Sequence, residues 1–336
     1  MGRSWRRRYS EFMPDTVDLE EILARTHVVT LPMRVKFRGV LAREILLLDG
    51  PAGWAEFSPF VEYDDVEAAR WLAAALEAGW LGYPEAVRDW IPVNATVPAV
   101  SAAEVPAVLG AFDAVQTVKI KVAEAGQSLA EDAARVGAVR HLLPDALIRV
   151  DANGGWDVET AVRALRMLSA FGLEYAEQPV ASVPELAAVR RELAGSVLIA
   201  ADESVRKATD PLAVARAGAA DLLVVKAAPL GGVRRALEIV AEAGLPAVVS
   251  SALDSSVGIR AGLALAAALP ELPYACGLGT VSLMAGDVAA RPLVAVSGGI
   301  AVRDVAADPQ LLARFAAPAE RRDWWLARLR RCHALL

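Results

Sequence analysis

The chain has 336 residues, 55% of them hydrophobic and 23% charged, with a formal net charge of −6. That length suits one large barrel or two domains, and the acidic balance provides no broad cationic surface, so nucleic acid is not expected as a partner. Apolar runs are broken by Gly, Pro or charge before the roughly 18 residues a membrane span needs, and Cys276 and Cys332 show no pairing logic, which suits a reducing cytoplasm.

In chain order, the basic and aromatic opening lacks an apolar core and is no secretory signal; residues 1–24 are expected to be a mobile extension. Val28 to Phe37 and Glu44 to Leu48 read as antiparallel strands around a Gly50-Pro51-Ala52-Gly53 turn, and Val66 to Ala78 as a helix. From Val93 onward, eight short apolar runs alternate with segments of helical period. They are Val93 to Val97, Val118 to Val122, Leu147 to Val150, Leu173 to Ala176, Leu198 to Ala201, Leu222 to Val225, Ala247 to Ser250 and Tyr274 to Gly277. Helices are expected between them near Glu131 to Leu143, Val158 to Phe171, Pro184 to Leu193, Pro211 to Ala217, Val233 to Ala243 and Val257 to Leu269, with Pro184 and Pro211 at first-turn positions. Leu293 to Val296 and Ile300 to Val302 read as a hairpin, and Arg321 to Leu336 as a helix packed on its own domain through Trp324 and Trp325.

Near-continuous hydrophobic strands, each followed by a helix, predict a parallel sheet covered on its outer face, and eight units close most economically as a barrel. The expected fold is an α/β, TIM-like (β/α)7β barrel over residues 93–289. An α+β capping domain is expected from residues 25–92 and 290–336.

Three carboxylates, Asp151, Glu177 and Asp202, end successive strands roughly 25 residues apart, the beat of a strand-plus-helix unit. Lys119 and Lys121 share a strand face, and Lys226 ends another strand. Any one of these residues has an ordinary structural reading, as a helix cap, a turn former or a solvated edge. Such readings do not require all of them to end strands of one barrel, where reacting groups gather. Three carboxylates without histidine or thiolate favour a hard cation, Mg²⁺.

The set resembles the enolase superfamily, and within it the muconate-lactonizing subgroup, over Thr30 to Ala301. The motifs are Lys119-x-Lys121, Arg149-Val-Asp151-Ala-Asn153, Glu177-Gln178-Pro, Asp202-Glu203-Ser and Lys226. The resemblance implies an enolisation in which the substrate carboxylate binds Mg²⁺ held by Asp151, Glu177 and Asp202. An α-proton then goes to Lys121, beside Lys119 and opposite Lys226. A lysine acts as base only when neutral, a state that burial and neighbouring cations favour. Asn153 and Gln178 read as supporting donors, and Glu203 as a group that orients or balances a lysine.

Within the subgroup the eighth strand, Cys276-Gly277-Leu278, carries no carboxylate to hold an ammonium. Ser250, Ser251, Gly277 and Leu278, with Arg149, suit a second carboxylate or carbonyl. The cap segment Leu31 to Gly39, followed by Gly53-Trp54-Ala-Glu56, resembles dehydratases of a cyclohexadiene bearing a ring carboxylate and a succinyl arm. Lys36 departs from the proline expected before Phe-Arg-Gly. Arg34 and Arg38 are candidates to steer the small-molecule dicarboxylate. The expectation is a syn-dehydration, with racemisation of an N-acylamino acid and a non-catalytic scaffold as the other readings. Whether the chain is a monomer or a homo-oligomer is left open.

Overall fold

The computed structural model describes residues 17–37, 39–207 and 210–336. Strands β1 (Thr26–Phe37), β2 (Val40–Gly50) and β3 (Gly53–Phe57) form an antiparallel sheet in that order. The turn after β2 needs glycine, because a Cβ on Gly50 would collide with the Gly79 carbonyl. A helix, Asp65–Leu76, follows; the Asp64 carboxylate caps its free amides.

The C-terminal helix Ala319–His333 returns to this domain and buries Trp325, Leu329 and Cys332 against it. Trp325 is fully buried, meets Phe57 edge to face at 5.9 Å and donates its indole N–H to Glu44 Oε2 at 2.9 Å. Trp325→Ala should therefore lower the unfolding free energy by about 3–5 kcal/mol, read from denaturant melts. The same core takes in Ile22 from a helix at Leu19–Ala24. The expected mobile extension thus ends earlier than residue 24, since a buried apolar side chain ties this stretch down; residues 1–16 lie outside the described residues.

The barrel begins at β4 (Trp90–Pro92) and continues through β5 (Ala95–Val97), β6 (Thr117–Lys121), β7 (Leu147–Asp151), β8 (Leu173–Glu177), β9 (Ile199–Ala201), β10 (Leu222–Val225) and β11 (Ala247–Val249). Strands β5 to β11 pair in sequential order as one parallel seven-stranded sheet. The eighth expected strand is present as a closing segment without a full ladder. Cys276 N donates to Pro92 O at 2.7 Å and Gly277 N to Val249 O at 2.8 Å, joining the two edges through single parallel bridges.

Alternation along the strands decides what faces where. Val118, Ile120, Ile148, Val150, Ala176, Ile199, Ala201, Leu223, Val225 and Val249 point outward into the helix layer. The opposite parity fills the interior with Tyr175, Ala200, Leu222, Val224 and Val248. It also places Lys121, Asp151 and Glu177 in one register row at the carboxyl ends of three neighbouring strands.

Helices follow as expected, with capping boxes at Ser128/Glu131 and Ser182/Glu185. The expected Pro211 to Ala217 helix shortens to Ala213–Arg216. The expected hairpin turn is closed by an antiparallel bridge between Val296 and Gly299, and its second arm, β12 (Gly299–Ala301), pairs with β4, while Leu293 and Ile300 pack in the same cluster as the barrel strands. Local pattern marks a turn, but only the fold selects its partner, here the strand that leads into β5.

Candidate active site

Asp151, Glu177 and Asp202 are each 1% exposed, and Lys119 and Lys226 are nearly as buried. In the strand order, β6 and β10 are separated by β7, β8 and β9. In an eight-segment barrel, four steps is half the circumference, so Lys121 and Lys226 face each other across the cavity with the three acids between them. Lys121 Nζ lies 2.5 Å from Asp151 Oδ2 and 2.6 Å from Asn153 Oδ1. Lys226 Nζ lies 2.6 Å from Asp202 Oδ2. Lys119 Nζ sits between two acids, 3.1 Å from both Glu177 oxygens and 3.4 Å from Asp151 Oδ2.

Burial disfavours charge on Asp151, Glu177, Asp202, Lys119 and Lys226, and the neighbours decide the outcome. Asp151 and Asp202 are buried yet held well below the usual carboxylate range, Asp151 by Lys121 and Lys119 and Asp202 by Arg206 and Lys226. Glu177 goes the other way: burial and the charge of Asp151 outweigh Lys119 and push it up to about 7. Burial lowers Lys226, opposed by Asp202, while Glu177 and Asp151 overcome burial to raise Lys119.

As they stand, no three His, Cys, Asp or Glu side chains among the described residues have the spacing of a closed metal cage. Their oxygens are divided between cations: Asp151 and Glu177 share Lys119, and Asp202 turns to Arg206 and Lys226. The donor set nonetheless fits a hard divalent ion. Like-charged oxygens crowd into a buried space, and Lys119 already holds positive charge between two of them.

The supporting residues hold these groups still. Gln178 is fully buried; its Oε1 accepts from Asp202 N at 3.0 Å and Ser204 N at 3.2 Å, and its Nε2 donates to Ser204 Oγ at 2.8 Å. Asn153 adopts a left-handed backbone (φ 46°), receives Lys121 and donates to Glu203 Oε1 at 3.3 Å. Glu203 meets Arg206 Nη2 at 2.5 Å, and its charge also favours the charged form of Lys226. Arg206, whose Nε is 2.9 Å from Asp202 Oδ1, was not foreseen; its signal was the spacing of four from Asp202 on a helical turn.

The cavity is lined by Lys119, Lys121 and Lys226 and by Ser250, Ser251 and Gly277, as expected. Thr96, Thr280 and the cap residue Phe60 also line it and were not foreseen. Ser251 Oγ donates to Gly277 O at 2.7 Å.

Two expected substrate contacts are corrected. Arg149 sits two residues before Asp151, about 6.6 Å deeper in the barrel. There it pairs with Glu174 at 2.5 Å, donates to Ala275 O at 2.6 Å and stacks over Tyr175. Leu278 is one residue past Gly277 and so points outward, packing against Gly262. In the cap, Arg34 is solvent-exposed and Arg38 lies outside the described residues.

Residues 102–307 match the enolase C-terminal domain-like family and residues 28–79 the enolase N-terminal domain-like family. The chain belongs to the enolase superfamily. It is 60% identical over 319 residues to o-succinylbenzoate synthase of Mycolicibacterium smegmatis, covering 95% of this chain and 98% of that protein. It is 57% identical to the o-succinylbenzoate synthase of Mycobacterium leprae, covering 95% and 94%. Among solved structures, muconate lactonizing enzyme from Pseudomonas putida superposes with a TM-score of 0.73 at 20% identity, over 87% of this chain and 98% of that one. A probable mandelate racemase from Alicyclobacillus acidocaldarius gives 0.67 at 27% identity, over 87% and 95%.

Proposed function

We propose that the chain catalyses the reaction named by those relatives. A hydroxycyclohexadiene carboxylate bearing a succinyl arm is dehydrated to o-succinylbenzoate, a step toward menaquinone. The observation that carries this reading is the pair of lysines facing each other across one cavity, with three buried carboxylates on the strands between them.

Asp151, Glu177 and Asp202 would hold the cation, which we take to be Mg²⁺. When bound, it supplies electrostatic stabilisation of the second negative charge that develops on the substrate carboxylate. The charge balance supports a dication and a dianionic substrate together. Asp151, Glu177, Asp202 and Glu203 face Lys119, Lys226 and Arg206, with Lys121 as the neutral amine; a dication and a dianion cancel, so adding both leaves the cluster's balance unchanged.

Lys121, as the neutral amine, takes the α-proton; the C–H electron pair enters the ring system. The resulting ammonium returns a proton to the hydroxyl on the same face as its C–O bond breaks, releasing water and leaving an aromatic ring. Asn153 and Asp151 orient that amine through the whole cycle. Lys226, on the other face, holds the planar anion by a cation–π contact. Ser250, Ser251 and the backbone around Gly277 are the groups placed to receive the succinyl arm. Cys276 and Cys332 are buried free thiols, and the reading places the enzyme in the cytoplasm.

An ultraviolet assay of ring aromatisation tests this: turnover with Mg²⁺, loss with EDTA and recovery on adding Mg²⁺ back. Turnover that ignores the chelator would sink it. The opposed lysines also suit racemisation of an N-acylamino acid, a second reading. In D₂O a racemase incorporates deuterium at the α-carbon of both enantiomers; absence of that exchange leaves dehydration alone.

A further inference from the structure

The loop Ser250 to Ser255 forms a wall of the cavity, through Ser250, Ser251, Ala252 and Leu253. It is not held by the barrel alone. Leu253 lies in the left-handed region at φ 62°, a conformation that persists only where its surroundings over-determine it. Those surroundings come from the cap. Arg43 Nε on β2 donates to Leu253 O at 3.3 Å and Arg43 Nη2 donates to Ser58 O. Just past β3's midpoint, Glu56 Oε2 accepts from Ser255 N at 3.1 Å, Ser255 Oγ at 2.5 Å and Gly258 N at 3.0 Å, while Oε1 accepts from Ser58 Oγ at 2.6 Å. These donors open the helix Ser256–Ala268, so one carboxyl from the cap fixes where the loop ends and the helix begins.

We propose that Glu56 is a positioning residue for substrate recognition: it clamps the loop after the seventh barrel strand to the cap and so sets the wall that receives the substrate's second carboxylate. The role rests on the dehydration reading only for the identity of that substrate. Around Glu56 stand Asp254, Arg43, Glu77, Tyr83 and Lys226. Burial and the Asp254 charge push Glu56 up to about 8, so glutamine is a close mimic of its neutral form. Its amide oxygen can accept from Ser255 and Gly258 while its NH₂ donates to the Ser58 hydroxyl.

The test uses the full chain loaded with Mg²⁺. Glu56→Ala should raise KM by about 10-fold with kcat within about 3-fold of wild type. Amide exchange over residues 251–258 should quicken by about 10-fold while β6 and β7 keep their protection. Glu56→Gln should restore most of both. Unchanged exchange and KM in Glu56→Ala overturns the proposal, as does a loss of protection spread evenly over the barrel or an equal deficit in the glutamine variant. Should Glu56→Ala not fold, Ser255→Ala carries the test, with a smaller rise in both quantities expected and no change overturning it. Should wild-type enzyme not dehydrate the substrate, amide exchange decides alone, because it does not depend on the reaction.

Discussion

Lys121→Ala should lose about 10⁴-fold in kcat and keep KM close to wild type, with the chain still folded. The side chain stands at the carboxyl end of β6, part exposed to the cavity, where its contacts are Asp151 and Asn153. Among the described residues, truncation removes the group on that face placed both to take the α-proton and to return it to the hydroxyl. Lys226→Ala should cost less, about 10²–10³-fold, because on this account it stabilises charge and transfers no proton. The ultraviolet assay reads both. Equal losses in the two variants would mean that both lysines exchange protons, which is the racemase pattern.

Asp202→Asn should abolish activation by Mg²⁺ and cost several kcal/mol of transition-state stabilisation. It should also lower the unfolding free energy of the metal-free protein by about 3 kcal/mol. The second effect comes from geometry: Lys226 and Arg206 are buried against Asp202 at 2.6 and 2.9 Å, and an amide leaves Lys226 without its counter-charge. Metal titration followed by activity, together with denaturant melts, checks the two parts. An Asn variant that melts like wild type yet loses activity would separate the catalytic loss from the ion-pair loss and contradict the stability half.

Much of the site could be read from sequence because strand parity and strand-end position are local properties. Lys119, Lys121, Asp151, Glu177, Asp202 and Lys226 share inward parity, and Lys121, Asp151 and Glu177 share one register row at the strand ends; both follow from a six-residue run and a repeat. Depth within the barrel is not local in this way. Arg149 shares the parity of Asp151, yet its guanidinium meets Glu174 where β8 bulges between the partners of Ile148 and Arg149, a register shift no run of residues announces. Leu278 was within reach of sequence reasoning, since alternation after Gly277 turns it outward.

What sequence could not supply was pairing at long range. Arg43 to Leu253 spans 210 residues and Glu56 to Ser255 spans 199, and both depend on how the cap is seated on the barrel. The Leu293 to Val302 hairpin shows the same limit. Its turn was legible, but its partner β4 lies about 200 residues earlier. The closing segment at Cys276 was recognised as the eighth unit, though its bridges are too few to form a ladder.

The most direct measurement is a crystal structure of the enzyme with Mg²⁺ and o-succinylbenzoate bound. The account predicts the ion within roughly 2.0–2.2 Å of oxygens from Asp151, Glu177 and Asp202, with the amines of Lys121 and Lys226 on opposite faces of the product ring. An ion held by other residues, or a ring with both amines on one side, would contradict it.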